Sequence, residues 1–129
     1  MNESVIVEEL FEAVDDHGLM NTLVAIFGKG AIIEMGFTQR LCETEVKDMD
    51  ISVRSYNSLM RAGCKTIGQL IEKINNGELM KIRNLGIKSA GELRSFVVEL
   101  GYSQMSDKRK KEFLLNFVRL NCKEKKAIC

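Results

Sequence analysis

Proline is absent from all 129 residues, tryptophan is absent too, and histidine occurs once. Without proline there are no preset rigid turns and no extended proline-rich tether, so segments must join through glycine and asparagine turns. The single histidine, His17, and the four cysteines, Cys42, Cys64, Cys122 and Cys129, form no C-x-x-C pair and no metal-ligand spacing. A zinc site therefore has no support. No secretory leader pattern is visible, which points to reduced thiols and a cytoplasmic setting. The longest apolar runs, such as Leu23 to Phe27, fall far short of the ~20 residues a membrane helix needs, so no membrane partner is expected. Gly28-Lys29-Gly30 lacks both the spacing of a phosphate loop and its Lys-Ser/Thr pair, which argues against a nucleotide cofactor. His17 has no serine or cysteine nucleophile pattern around it and reads as an exposed turn residue. Glu12, Asp15 and Asp16 are explained by an amphipathic helix. Catalysis has nothing to stand on, and neither an enzyme nor a metal is expected.

What the sequence does have is an ordinary hydrophobic share of 45%, enough for one compact domain with flanks but not for two large domains. A net charge of +1 conceals a gradient: residues 1–45 carry −7, residues 46–102 carry +3 and residues 103–129 carry +5. The basic two-thirds can approach a nucleic acid, whereas the acidic head would be repelled and should face away.

Helical periodicity dominates. Val5, Val7, Leu10, Phe11 and Val14 form a stripe, with Asn2 or Ser4 as N-cap and Gly18 as stop. Asn21 is placed to cap a short helix through Phe27, ended by Gly28, and Gly30 to Gly36 reads as a strand or another helical turn. After a turn-like stretch from Thr44 to Asp50, Ser52 caps a helix over Val53 to Ala62, closed by Gly63, with Val53, Leu59 and Met60 as its apolar side. Thr66 caps Ile67 to Ile74, Asn75-Asn76-Gly77 ends that helix, and Glu78 to Ile82 is a short helix. A further helix from about Lys88 to Leu100 buries Leu93, Phe96, Val97 and Leu100 and stops at Gly101. Ser106 caps a last helix from Asp107 to about Lys123, whose Phe113, Leu114, Phe117, Val118 and Leu120 should dock on the core or on a partner. The expected fold is all-α: a compact bundle of short helices at 46–102, an acidic helical extension at 1–45 and a basic helix at 103–129.

Two polar clusters stand out, Arg54-Ser55-Tyr56-Asn57-Ser58 and Asn84-Leu85-Gly86-Ile87-Lys88-Ser89, each at the start of a helix. The second has the form of a helix-hairpin-helix turn, in which a helix N-terminus offers Lys88, Ser89 and free backbone N–H groups to an anion. In the first, Arg54, Asn57, Ser58 and Arg61 lie at i, i+3, i+4 and i+7 and share one face.

In this order, over roughly Val46 to Tyr102, the clusters resemble the C-terminal domain of the bacterial RNA polymerase alpha subunit. The resemblance implies a non-catalytic DNA-binding module of transcription, with DNA contacts at Arg54, Asn57, Ser58, Gly86, Lys88, Ser89 and Glu92. Ser58 stands where a cysteine is common, Arg83 stands where a proline often precedes the Asn-Leu-Gly, and the loop between Ile74 and Leu79 is about a residue longer than in familiar members. The large assembly domain and the long tether of the whole subunit have no counterpart here.

The implied partner is double-stranded DNA at an A/T-rich minor groove, with RNA polymerase or a regulator as a protein contact and the nucleoid as location. A planar guanidinium suits a narrow groove better than a strongly hydrated ammonium, so Arg54 is the expected groove reader. Gly86 would supply the turn and close approach, Lys88 charge and Ser89 a hydroxyl. Glu92 would orient Arg54, and Ser89-x-x-Glu92 also reads as a capping box that needs no ligand. The run Lys108-Arg109-Lys110-Lys111 reads as a solvated helix end. An alternative function is a protein-interaction adaptor that uses the acidic extension or the terminal helix.

Overall fold

The computed structural model describes residues 3–28 and 30–124 and is all-α, with no strand among the described residues. Among the described residues, seven α-helices run in order: α1 Glu3–His17, α2 Leu19–Phe27, α3 Gln39–Glu43, α4 Val53–Arg61, α5 Ile67–Asn75, α6 Ile87–Ser103 and α7 Asp107–Glu124. Two 3-10 turns, Val46–Asp48 and Leu79–Lys81, sit between them. The molecule divides into two compact units: Phe37–Val98, and a second assembled from Met1–Gly36 together with Glu99–Cys129. Head and tail, read above as separate additions to a 46–102 core, thus belong to one unit, and one boundary falls inside α6.

In the unit built from the two ends, α1 buries Val7, Leu10 and Val14, and α7 buries Phe113, Leu114, Phe117 and Val118. Burying those four α7 side chains is favourable by ~1.5–3 kcal/mol each, so the apolar stripe expected to dock on the core or a partner is taken up by the core. Phe27 meets Phe117 edge-on at 4.9 Å between centroids. The Arg119 guanidinium donates to both carboxylate oxygens of Glu3, at 3.0 and 3.1 Å, tying α7 to α1 and holding the Glu3 carboxyl below its usual range. The basic run is partly consumed here as well. Lys110 lies 5.2 Å from the Tyr102 ring, and Lys111 lies 4.9 Å from the Phe11 ring and 2.9 Å from the Glu8 carboxylate.

Several expectations change in this unit. Ser4 is already inside α1, while Asn2 and the lysine of Gly28-Lys29-Gly30 lie outside the described residues. Gly18 (φ +88) turns the backbone in a single residue, so α2 begins at once and Asn21 is within its first turn. The Asn21 amide donates to the His17 carbonyl instead of capping α2. Residues 31–38 are neither strand nor helix. The buried Asn121 holds this segment: its side-chain oxygen accepts from the Ile32 N–H at 2.8 Å, and its amide donates to the carbonyls of Ile32 and Phe117, each at 2.9 Å. Nor does α6 stop at Gly101, which is buried inside the helix. A mid-helix glycine costs ~1 kcal/mol, and anchoring by the adjacent buried Tyr102 outweighs it.

The Phe37–Val98 unit closes around Leu41, Val46, Leu59, Ile67, Leu70, Leu79, Leu85, Leu93 and Val97. Helix starts follow the expected caps. Ser52 and Thr66 accept N–H bonds from Ser55 and Gln69, and Gln69 returns the bond to complete a capping box. Sequence periodicity gave no sign of α3, which is capped by Thr38. It packs so tightly on α5 that a Cβ on Gly68 would lie 2.9 Å from the Cys42 carbonyl oxygen. Bonds from the Val46 N–H to the Lys65 carbonyl and from the Ile67 N–H to the Thr44 carbonyl, both 2.8 Å, fix the approach to α4. Val53, expected on the apolar side, is instead 75% exposed, because the first helical position overhangs the end of the packed face. Cys42 and Cys64 are free thiols, and burial pushes the Cys64 thiol up. No helix among the described residues is long and apolar enough to cross a membrane.

Candidate nucleic-acid interface

Helix α4 carries two kinds of side chain. Arg54, Asn57 and Arg61 are exposed, while Ser55 and Ser58 are buried with Leu59 beside them. Serines three apart make a narrow, low-profile strip that lets neighbouring segments come close. Two clefts identify those segments. One lies between Asp50, Ile51, Ser52 and Ser55 and the α6 residues Ser89, Glu92, Leu93 and Phe96. The second, of about 450 Å³, lies between Ser58, Arg61 and Ala62 and the hairpin residues Ile82, Arg83 and Asn84. Helix α4 therefore runs alongside both the hairpin and the first turns of α6, and the two sequence clusters meet.

The hairpin is built by three consecutive residues with separate jobs. Asn84 takes φ +68, the only non-glycine among the described residues with such a value, and asparagine tolerates that region better than most residues. Leu85 is buried and donates its N–H to the Ile82 carbonyl at 3.2 Å, pinning the turn to the core. The Gly86 carbonyl accepts the Ala90 N–H at 3.0 Å and so becomes the N-cap of α6. Among the described residues, the N–H groups of Gly86, Ile87, Lys88 and Ser89 have no acceptor. Four unbonded donors thus stand at the positive end of a 17-residue helix dipole.

These facts correct three sequence expectations. Asn84 supplies the left-handed turn, not Gly86, whose φ is ordinary and at which a Cβ would meet nothing within 4 Å. Ser89 is the third residue of α6, so the Ser89-x-x-Glu92 capping box does not form. Glu92 and Arg54 are both exposed and make no ion pair, so the carboxylate does not hold the guanidinium. A fourth concerns Ser58: at 1% exposure it does not share the open face of Arg54 and Asn57, because its turn of the helix faces the hairpin. Of the remaining expected contacts, Gly86 and Lys88 are exposed and Ser89 is half-buried.

Arg54, Arg61, Arg83 and Lys88 are all exposed or half-buried at the surface, and none has a carboxylate partner among the described residues. Asp50 and Glu92 line the neighbouring cleft beside Ser89. Sequence reasoning noted Arg83 only as a departure from proline and missed its place in the second cleft. Its spacing from Arg61 carries no periodic signal. The left-handed Asn84 was detectable, since asparagine before a glycine-containing turn favours that geometry.

A short 3-10 turn, a pinned hairpin and a helix with an open N-terminus, flanked by an arginine-bearing helix, define an all-α module of the helix-hairpin-helix type. Residues 34–99 match the family formed by the C-terminal domain of the bacterial RNA polymerase alpha subunit, and the protein belongs to that family. Curated relatives include DNA-directed RNA polymerase subunit alpha from Carboxydothermus hydrogenoformans, 48% identical over 65 residues, which are 50% of this chain and 20% of the relative. The same subunit from Rubrobacter xylanophilus is 51% identical over 61 residues, 47% of this chain and 19% of its own length. That of Symbiobacterium thermophilum is 45% identical over 64 residues, 50% of this chain and 20% of its own length. The match thus spans about a fifth of the length of these relatives. No solved structure matches the protein. Family membership gives the matched unit a non-catalytic, transcription-related role.

Proposed function

We propose that this protein binds double-stranded DNA at an A/T-rich minor groove, with Arg54 entering the groove and the hairpin holding the sugar-phosphate backbone, and that it acts beside RNA polymerase or a transcription regulator in the bacterial cytoplasm. The observation that carries this reading is the juxtaposition of an exposed, unpaired Arg54 on α4 with four unbonded N–H groups where the flanking hairpin enters α6. A narrow A/T-rich groove concentrates negative potential, and a guanidinium sheds its hydration there more easily than an ammonium does. Asn57, one turn along the same helix, is in position to bond a sugar or phosphate. Lys88 adds charge at the helix end and Ser89 a hydroxyl. Glu92, with no cationic partner, sets a limit on how closely phosphate can pass that side of α6.

Contacts to so few phosphates support weak, salt-sensitive binding in the ~10⁻⁴–10⁻⁶ M range unless a second module or partner adds avidity. The test is a titration of labelled A/T-rich and G/C-rich duplexes at two salt concentrations with wild type and Arg54→Ala. Arg54→Ala should weaken A/T-rich binding about tenfold or more and erase the A/T preference, as expected for loss of a charged groove contact worth ~1–3 kcal/mol. Superimposable curves for the two proteins would reject the assignment of Arg54.

A further inference from the structure

Between α4 and the hairpin, the cleft lined by Ser58, Arg61, Ala62, Ile82, Arg83 and Asn84 has a composition that the proposed function does not use. Two guanidiniums border it and no carboxylate does. Neither Arg61 nor Arg83 has an ionic partner among the described residues. Like charges converging on one concave space repel each other and attract an anion. Ser58 is 1% exposed, lines the cleft and has no side-chain hydrogen-bond partner among the described residues. Its hydroxyl is short and able to donate a hydrogen bond. Asn84, at φ +68 in the hairpin, lines the cleft across from α4 and carries an amide able to donate.

We infer that this cleft is a second phosphate site, in which Arg61 and Arg83 grip a phosphate group from two sides while the Ser58 hydroxyl and the Asn84 amide donate to its remaining oxygens. Arginine is the residue suited to this task, because its planar fork meets a tetrahedral oxyanion through paired N–H bonds. At about 450 Å³ the space admits a phosphate together with an attached sugar. The chemistry fits either a phosphodiester of a bound duplex or a free phosphate. The first rests on the DNA-binding reading above, since the hairpin that forms one wall of the cleft also carries the Gly86 N–H. In that arrangement the cleft takes a backbone phosphate beyond those held by Gly86 to Ser89, and it recruits Ser58 as a buried ligand of the phosphate, not a residue of the open face.

The experiment uses the full-length protein in two arms. In the first, backbone amide NMR shifts are followed as inorganic phosphate is added at constant ionic strength. Saturable shifts at Ser58, Arg61 and Asn84 that vanish in Arg83→Ala are expected, and linear drift unchanged by Arg83→Ala would overturn the site. In the second, A/T-rich duplex is titrated over a range of salt with wild type, Arg61→Ala, Arg83→Ala and Arg54→Ala. Each cleft variant should flatten the slope of log affinity against log salt by ~0.9, the effect of losing one phosphate contact, while keeping the A/T preference that Arg54→Ala destroys. Saturable phosphate binding with unchanged duplex slopes supports the site and assigns it to free phosphate. Saturable phosphate binding in a protein with no duplex affinity also supports the site, while the DNA reading fails. Arg54-dependent duplex binding with no effect of Arg61→Ala or Arg83→Ala in either arm overturns the cleft and leaves the DNA reading standing. Thermal melts of both cleft variants, unchanged within a few degrees, exclude unfolding as the cause.

Discussion

Replacing Gly86 by alanine separates what the fold needs from what a phosphate needs. Turn glycines commonly serve a left-handed backbone, but here Asn84 holds that conformation, and a Cβ on Gly86 would project into space empty to 4 Å. Two small effects on stability then oppose each other. Alanine is worse than glycine at an N-cap by ~0.5–1.5 kcal/mol, and it gains ~0.4–1 kcal/mol by restricting the unfolded state. The net change should be within about 1 kcal/mol, a shift of roughly 5 °C or less in Tm. Binding should respond far more. The methyl would stand beside the N–H groups of Gly86, Ile87, Lys88 and Ser89, and displacing a phosphate from one of these donors costs ~1.5–3 kcal/mol. Affinity for an A/T-rich duplex, read by fluorescence anisotropy at low salt, should fall about 10–100-fold while the circular-dichroism melt stays nearly in place. Unchanged affinity with an unchanged melt would refute the hairpin as a phosphate anchor. A fall in Tm well beyond 5 °C would refute the claim that the glycine is free of folding duties.

Three further substitutions test the scaffold. Gly68→Ala, in a helix where alanine is usually better by ~1 kcal/mol, should instead destabilise by ~1–3 kcal/mol in a urea melt, because its Cβ meets the Cys42 carbonyl oxygen at 2.9 Å; a gain in stability would contradict the α3–α5 contact. Asn121→Ala removes three hydrogen bonds, two of them to the part-buried backbone of Ile32, and should cost ~2–4 kcal/mol and raise amide exchange at Ile32; a cost below ~0.5 kcal/mol would show that water replaces the clamp. The buried Tyr102 hydroxyl has no partner among the described residues, so Tyr102→Phe should be neutral or stabilising by ~1 kcal/mol at neutral pH. Burial pushes that phenol up to about 12 from an ordinary 10, so its protonated form favours folding fully below pH 10, and this contribution disappears as pH rises toward 12. The stability gap between Tyr102→Phe and wild type should therefore widen over that window, and a gap that stays flat in alkaline denaturation would contradict the burial argument.

Local chemistry made much of this fold legible in the amino-acid order. Ser52, Thr66 and Ser106 mark helix starts because a cap involves only residues three apart, and all three accept the expected N–H bond. Gly63 and Gly77 mark ends because both take a positive φ. What escaped depends on distant partners. Helix α3 is five residues long and has no periodicity to detect, and Gly101 remains helical because of what surrounds Tyr102. At the candidate interface, Arg54 and Lys88 were readable as exposed cations. The burial of Ser58 was not, since its place on the helical wheel is decided by a hairpin more than twenty positions away. The same holds for Arg83, which becomes a neighbour of Arg61 only once the backbone has turned at Asn84.

The order in which the ribosome releases the polypeptide gives the unit built from both ends a consequence of its own. Helix α1 emerges before the Phe37–Val98 unit, yet α7, which packs on it together with α2, appears only after the whole of that unit has passed. At ~5–20 residues per second, the nascent α1 goes without its α7 contacts for several seconds while the intervening unit has its full complement of residues and can close. The acidic side chains of α1, Glu8, Glu9, Glu12, Asp15 and Asp16, then serve a purpose unrelated to any partner, keeping a waiting amphipathic segment from associating with its neighbours on a polysome.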